Sequence, residues 1–181
     1  VLIQVEADVD SEYDYELLGY ITPKKMGQAY HCPVFNGLSK QTTSEQLMDL
    51  GTQLNIHGIV PMFHVVGVTP EAADVHTAFL GRKDPPVVTI TNEDLAQARA
   101  EISAGTGKAD FCILGCPHLT INQVGSIAKM LDGQQLAGQL YIFTSTSTKE
   151  LAQRMGYLDI IHKAGGEIVI NSCVDQPCWS H

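Results

Sequence analysis

From about Thr43 onward, the spacing of apolar positions switches repeatedly between that of helices and that of strands. Ser44–His57 has apolar residues at helical spacing behind an N-cap candidate and predicts a helix. The apolar run that follows is interrupted by a proline, which predicts a strand starting near Met62. The next segment predicts a short helix that begins with Pro70 and ends at Gly81.

The rest of the chain repeats the order strand, helix, strand. A β-branched strand is predicted over Val87–Thr91, with Thr91 or Asn92 as the cap of the next helix. Strands are then predicted at "FCILG", "QLYIFTS" and "EIVINSC", separated by two helical segments, the second with a candidate break at Gly156. Continuous apolar strands alternating with helices predict an α/β fold: a layered, mostly parallel sheet with helices on both faces.

The first 40 residues lack a clear period, because acidic residues and tyrosines mix in "DVDSEYDYELLGYITPKKMG". We therefore predict that residues 1–40 form an irregular segment, either at an edge of the sheet or in a neighbouring domain. Residues 41–181 are predicted to form the α/β core. Val1 opens inside an apparent strand and His181 directly follows a cysteine-containing segment, so we expect the chain to be part of a longer protein.

Composition narrows the function classes. The chain has 181 residues, 44% hydrophobic and 17% charged, with a mean hydropathy of +0.02, which is typical of a globular domain. Its formal net charge of −9 gives no electrostatic support to a nucleic-acid or anionic-membrane partner. No run approaches the roughly 18 apolar residues that span a bilayer, and the start of the sequence has no basic stretch followed by an apolar run. We expect a cytoplasmic protein. In a reducing compartment its five cysteines are expected to be core thiols, metal ligands or nucleophiles rather than disulfides.

Candidate chemistry concentrates where the predicted strands end. In open parallel sheets, ligands bind beyond the carboxyl ends of the strands. The residues that share this placement are His64, Thr69, Glu71, Cys116, His118, Thr144, Ser145 and Cys173.

Several of these residues also have plain structural interpretations. Cys116 could be a small core filler, His64 a hydrogen-bonded core histidine, and Glu71 a carboxylate that only stabilises a helix N-terminus. Cys112 lies inside an apolar strand, so we predict it to be a core residue. The sequence leaves the role of Cys32 open.

The cysteines admit more than one chemistry. Cys173 and Cys178 are five apart and lack a second pair, so structural zinc is improbable. Nucleophilic catalysis by a cysteine–histidine pair is a further class, but the local pair Cys116 and His118 lies on one tight turn. Cys116 and Cys173, at two strand ends, could instead converge on iron, for which thiolates are common ligands.

Four segments carry a family resemblance. "YELLGYITPKKMG", "FHVVGVTPEA", "ADFCILGCPHLTINQVGSIAKMLDG" and "GGEIVINSCVDQPCW" resemble, in this order, the large catalytic subunit or domain of aconitase X. The resemblance covers nearly all of the chain and implies an aconitase-like α/β domain from the middle of that large subunit. It further implies a hydro-lyase that removes water from a small hydroxy acid such as mevalonate 5-phosphate or cis-3-hydroxy-L-proline.

The resemblance also implies a cofactor: iron, or an iron–sulfur cluster, held by cysteines. Cys116 of "GCPH" and Cys173 of "NSC" are the ligands carried over, and a further family cysteine lies beyond the end of this chain. Much of the family has Asp-Thr-Cys where this chain has Asn171-Ser172-Cys173, a change expected to alter the surroundings of the metal. Some branches of the family have threonine at the "GCPH" cysteine. The cysteine at residue 116 therefore favours the phosphomevalonate branch for this chain.

The remaining candidates receive roles within that reaction. His118 would orient the leaving group or a metal-bound water, while Thr69, Thr144 and Ser145 would donate hydrogen bonds to substrate oxygens. Glu71 would hold a substrate hydroxyl or a neighbouring donor, and His64 would line the substrate site. In the aconitase superfamily, which this resemblance implies, the base that removes the proton is typically a serine on a small swivelling domain. We therefore expect a partner subunit or a missing segment to supply the base.

Two rival functions remain open from the sequence. The chain could be a noncatalytic α/β module that binds a phosphorylated metabolite at a helix N-terminus or organises a larger assembly. It could also be a metal-free cysteine hydrolase, whose turnover iodoacetamide would inhibit.

Overall fold

A computed structural model of the chain describes residues 1–27, 31–103, 107 and 109–174. The chain forms two compact units, Val1–Gly105 and Thr106–His181. In the described ranges, no helix combines the length and the apolar character that crossing a bilayer requires.

The first unit contains a four-stranded parallel sheet with the strand order β3-β2-β1-β4. Its apolar strand residues, such as Ile3, Phe35 and Ile90, are buried together with the inner faces of the helices. The elements of this unit are β1 (Leu2–Val5), α1 (Glu12–Met26), β2 (Val34–Asn36), α2 (Ser44–Gly58), β3 (His64–Val65), α3 (Val75–Ala78), β4 (Val87–Ile90) and α4 (Asn92–Ile102).

The second unit contains a three-stranded parallel sheet with the strand order β5-β6-β7. Its core joins the strand residues Ile142 and Ile168 to Val124 and Ile161 of the helices. The elements are β5 (Phe111–Leu114), α5 (Ile121–Leu131), β6 (Gln139–Phe143), α6 (Thr146–Arg154), α7 (Tyr157–Ala164) and β7 (Gly166–Val169). The predicted α/β class with parallel strands and layered helices is therefore confirmed.

Capping boxes fix the starts of several helices, including α1, α2 and α5. Thr43 accepts from the backbone of Gln46 at the start of α2, and the Gln46 side chain accepts from the backbone of Thr43. The same reciprocal pair begins α1 at Ser11 and α5 at Thr120. Each box satisfies two backbone groups that the first turn of a helix leaves without partners.

Two predictions about local structure are wrong. Residues 1–40 are not irregular: β1 lies inside the sheet, between β2 and β4, and α1 packs against α2 and α4. The helix predicted from Pro70 begins only at Val75, capped by Asp74, because residues 65–72 fold into turns held by the Thr69 side chain. The predicted break at Gly156 is confirmed: this residue has a φ of 77° and separates α6 from α7.

The prediction that Cys112 is a core residue is also wrong, because this thiol is exposed. Cys112 pairs with Leu140 of β6, but among the strands that the structure describes β5 lies at the edge of its sheet, with β6 as its one neighbour. The end of an apolar edge strand therefore stays accessible, although its sequence reads like that of a buried central strand.

The contact between α1 and α2 buries an acidic group. Asp49 on α2 is only 3% exposed, and the charges of Glu16, Glu12 and Glu45 act on it. Burial in the first place, and these like charges in the second, raise the pKa of Asp49 to about 7. Burial also raises the pKa of Glu16. Ionisation of Asp49 therefore opposes folding.

We expect Asp49→Asn to stabilise the protein by about 2–4 kcal/mol at pH 8 and by much less at pH 4. The folded-state pKa of about 7 lies above the reference value of 3.8. The native state therefore binds this proton more tightly, and its stability falls as the pH rises between those values. Urea unfolding from pH 4 to pH 8 measures the difference in the free energy of unfolding.

The matched control is Asp84→Asn, which neutralises an exposed carboxylate in a loop of the same unit. Its effect should stay within about 0.5 kcal/mol across the range. A gain for Asp49→Asn that did not change with pH would contradict the burial argument.

Candidate active site

Three loops of the second unit converge at the carboxyl edge of its sheet. They follow β5 at residues 115–120, β6 at residues 144–145 and β7 at residues 170–173. The backbone N–H of Leu119 donates to the carbonyl oxygen of Phe143 at 3.0 Å, and that of Thr144 donates to the carbonyl oxygen of Val169 at 3.1 Å. Parallel strands place their carboxyl ends at one edge, where ligands of open sheets bind.

The first loop is the Gly-Cys-Pro-His turn. Gly115 has a φ of +132°, and a Cβ atom there would lie 2.6 Å from both the Cβ and the carbonyl oxygen of Phe143. Only glycine fits this close approach. Cys116, which precedes Pro117 through a cis peptide bond, is exposed. The turn thus places the Cys116 thiol at the accessible rim of the sheet.

A hydrogen bond joins this turn to the loop after β7. The Nε2 atom of His118 lies 2.8 Å from the carbonyl oxygen of Ser172. Because a carbonyl oxygen only accepts, Nε2 carries the proton and donates it. The residues adjacent to this contact include Cys173, so the loops that carry the two predicted thiol ligands meet through His118 and Ser172.

The loop after β7 has a second anchor. Asn171 adopts the left-handed conformation, with a φ of 57°, which asparagine tolerates better than most residues. Its Oδ1 atom accepts a hydrogen bond of 3.3 Å from the hydroxyl of Thr146, the first residue of α6. Cys173 is exposed and forms no disulfide.

Thr144 has a structural role in this edge. The residue is fully buried, and its Oγ1 atom donates to the carbonyl oxygen of Leu119 at 2.6 Å. The single hydroxyl proton is therefore used inside the protein, and the predicted direct hydrogen bond from Thr144 to a substrate is not supported. The contact instead ties the exit of β6 to the loop that leads into α5.

Ser145, the next residue, is the N-cap of α6. Its Oγ atom accepts from the backbone N–H of Thr148 at 3.1 Å, donates to the Thr148 hydroxyl at 2.9 Å and lies 2.9 Å from the Ser147 hydroxyl. Backbone N–H groups and hydroxyls at this helix start form a polar surface suited to anions.

The other three predicted residues lie together in the first unit, around β3. The Nδ1 atom of His64 is 3.8 Å from Oε2 of Glu71, and His64 is mostly buried while Glu71 is mostly exposed. The Oγ1 atom of Thr69 accepts from the backbone N–H of Val65 at 3.1 Å. His64 is thus the first residue of β3, and the turns that follow this strand carry Thr69 and Glu71.

The thiols fit iron as part of a ligand set. Cys116 and Cys173 are both exposed sulfur donors on loops that contact each other, and thiolates are the usual protein ligands of iron–sulfur clusters. In the part of the chain that the structure describes, no group of three or more His, Cys, Asp or Glu side chains could hold a metal ion. Cys178, the partner considered for Cys173 in a zinc knuckle, lies outside the described residues.

Two family models match the chain in succession. The Aconitase X second domain matches residues 1–100, and the Aconitase X third domain matches residues 109–181. The chain belongs to the aconitase X family. The resemblance inferred from the sequence motifs is confirmed, and each matched segment falls within one of the two compact units.

Relatives and a solved structure of the aconitase X family support this placement. The chain is 33% identical over 172 residues to the phosphomevalonate dehydratase large subunit of Methanothermobacter thermautotrophicus, covering 95% of this chain and 41% of that protein. It is 33% identical over 187 residues to the cis-3-hydroxy-L-proline dehydratase of Pseudomonas aeruginosa, covering 98% of this chain and 32% of that protein. The chain thus spans less than half the length of these relatives.

A crystal structure of Thermococcus kodakaraensis aconitase X in its holo-form matches with a TM-score of 0.84 and 30% identity, covering 95% of this chain and 43% of that one. The backbone arrangement described above is therefore that of an aconitase X protein.

The candidate site also contains residues that sequence reasoning missed. The carbonyl oxygen of Ser172 accepts from the predicted residue His118. The hydroxyl of Thr146 donates to Asn171, which lies two residues before the predicted ligand Cys173. The run of hydroxyl residues in "FTSTST" indicated a polar helix start, but a backbone carbonyl leaves no signal in a sequence.

Proposed function

We propose that this aconitase X chain forms part of an iron-dependent hydro-lyase that dehydrates a small hydroxy acid. The observation that carries the proposal is the hydrogen bond from His118 to Ser172, which joins the loops of Cys116 and Cys173. Relatives named as phosphomevalonate dehydratase and cis-3-hydroxy-L-proline dehydratase support the reaction class. Mevalonate 5-phosphate is our first candidate substrate, and cis-3-hydroxy-L-proline is the second.

Cys116 and Cys173 would hold the cofactor, either iron or an iron–sulfur cluster. Bound there, iron supplies a Lewis acid that polarises the carbon–oxygen bond of the leaving hydroxyl. Both thiols lie on loops set by backbone contacts, Gly115 against Phe143 and Ser172 against His118. A further ligand would come from outside the described residues.

His118 would orient the leaving hydroxyl through Nδ1, the ring atom that is not engaged with Ser172. Because Nε2 donates to a backbone carbonyl, the ring orientation is fixed before substrate arrives. The chemistry then needs a base to remove a proton from the neighbouring carbon. We expect that base on the small swivelling subunit or domain.

Ser145 and the start of α6 would bind anionic oxygens of the substrate, such as a carboxylate or phosphate. For the first unit by itself, His64, Thr69 and Glu71 are proposed as substrate contacts around β3. Thr144 would support the site from within by holding the carbonyl of Leu119. The cytoplasm is the proposed location, because exposed thiol ligands persist in a reducing compartment.

The direct test is anaerobic purification of the full-length protein together with its small subunit. We expect a brown, iron-containing complex that dehydrates mevalonate 5-phosphate faster than cis-3-hydroxy-L-proline. Iron content, the visible spectrum and product formation are the measurements.

Other outcomes would contradict this function. A colourless complex that stays metal-free after reconstitution with iron and sulfide would favour a noncatalytic module. Turnover without metal that iodoacetamide blocks would indicate a cysteine hydrolase.

A further inference from the structure

The segment that carries Cys173 leaves its sheet as an unpaired loop. β7 ends at Val169, and within the described part of the chain residues 170–173 have no ladder hydrogen bonds to a neighbouring strand. Two side chains contact this segment instead: His118 from the loop after β5 bonds Ser172, and Thr146 from the start of α6 bonds Asn171. The position of the Cys173 sulfur therefore depends on how these contacts hold the loop.

Helix α6 is a firm base for one of these contacts. Its N-cap, Ser145, accepts from the backbone N–H of Thr148 at 3.1 Å. The Nζ atom of Lys149 donates to the carbonyl oxygen of Ile168 in β7 at 3.1 Å. Thr146 is the first residue of this helix, so its hydroxyl is placed by a helix already fastened to the strand that leads to Cys173.

The contact with Thr146 acts on the loop at Asn171, where the backbone changes direction. Its φ of 57° turns the backbone into the left-handed region, and its Oδ1 atom receives the Thr146 hydroxyl at 3.3 Å. One residue later, the carbonyl oxygen of Ser172 points to Nε2 of His118 at 2.8 Å. The side-chain contact at Asn171 thus precedes the contact between the two cysteine loops.

We propose that Thr146 is a positioning residue which, through Asn171, sets where Cys173 presents its sulfur to iron. This inference rests on the proposed function and assigns Thr146 a role that acts through Asn171 rather than through direct contact with iron. Because Thr146 and Asn171 are exposed, their hydrogen bond contributes little to global stability. Its loss would act instead on the retention of iron, since partners that orient metal ligands typically govern about 10- to 100-fold in metal affinity.

The test compares Thr146→Val with Thr146→Ser in the full-length, iron-loaded protein. Valine has nearly the shape of threonine without the hydroxyl, whereas serine keeps the donor. We expect Thr146→Val to release iron to a chelator about tenfold faster than wild type, with an unchanged thermal midpoint. Thr146→Ser should release iron at nearly the wild-type rate.

Asn171 provides an independent arm. Asn171→Gly keeps the left-handed turn but loses the acceptor and should match Thr146→Val, whereas Asn171→Asp keeps an acceptor oxygen and should retain iron. The double variant Thr146→Val/Asn171→Gly should release iron no faster than either single variant, because each single change already removes the same hydrogen bond.

The outcomes separate this inference from the function on which it rests. A wild-type protein that binds no iron overturns the proposed function and the inference together. A wild-type protein that retains iron while Thr146→Val releases it at the same rate overturns the inference alone. Equal acceleration in Thr146→Val and Thr146→Ser also overturns it, since the hydroxyl would not be responsible.

Discussion

Replacing Cys173 with serine in the full-length protein should abolish iron retention and dehydratase activity. A serine hydroxyl is a far weaker ligand for iron than a thiolate, and the soft sulfur donors are what favour an iron–sulfur centre at this site. Cys173 is exposed at the end of its loop, so the fold itself should tolerate the change. Iron per protein after anaerobic desalting, together with the visible absorption spectrum, measures the effect.

Cys112→Ser is the matched control for this experiment. Cys112 is also an exposed thiol of the second unit, but it lies within β5 rather than in a strand-end loop. Its replacement should leave iron content and activity unchanged. If Cys173→Ser retained full iron content, Cys173 would have to be removed from the proposed site.

Replacing Gly115 with alanine should destabilise the second unit by about 3 kcal/mol or more. The new Cβ would lie 2.6 Å from Phe143 atoms, one of them a backbone carbonyl that cannot move away without shifting β6. Overpacking of this kind costs about 1–3 kcal/mol, and a φ of +132° adds backbone strain of about 1–2 kcal/mol for a residue with a side chain. Urea unfolding measures the loss of stability, and iron content reports the displaced turn.

Gly133→Ala separates the two causes. Gly133 also has a positive φ, +72°, but a Cβ atom there would meet nothing within 4 Å. Its cost should be limited to backbone strain of about 1 kcal/mol, with iron content unchanged. Equal losses for the two variants would show that the contact with Phe143 is not what requires glycine at residue 115.

The strand-end candidates could be predicted from the sequence because apolar strands have a clear signature and parallel strands end at a common edge. Cys116, His118, Ser145 and Cys173 follow directly after such strands. Thr144 shows where this reasoning stops. Position alone cannot tell whether a hydroxyl faces a ligand or a carbonyl, and here it donates to Leu119.

Helix α1 was missed for a different physical reason. It packs against both α2 and α4, and its buried residues include Tyr15, Leu17, Ile21 and Pro23, which are spread over more than half of its circumference. A helix buried on several sides has no single apolar stripe, so its sequence lacks the period that identifies amphipathic helices. Pro23 near its end further weakens the helical pattern.

Because Gly115 contacts Phe143 closely, different residues set the shape and the chemistry of the Gly-Cys-Pro-His turn. Shape is dictated by the residue without a side chain, whereas the neighbouring thiol projects outwards. We therefore expect a hydroxyl, an imidazole or a carboxylate at residue 116 to leave in place the glycine contact that shapes the turn. Residue 116 is therefore a position where a single substitution, in redesign or in evolution, changes the chemical group that this turn presents.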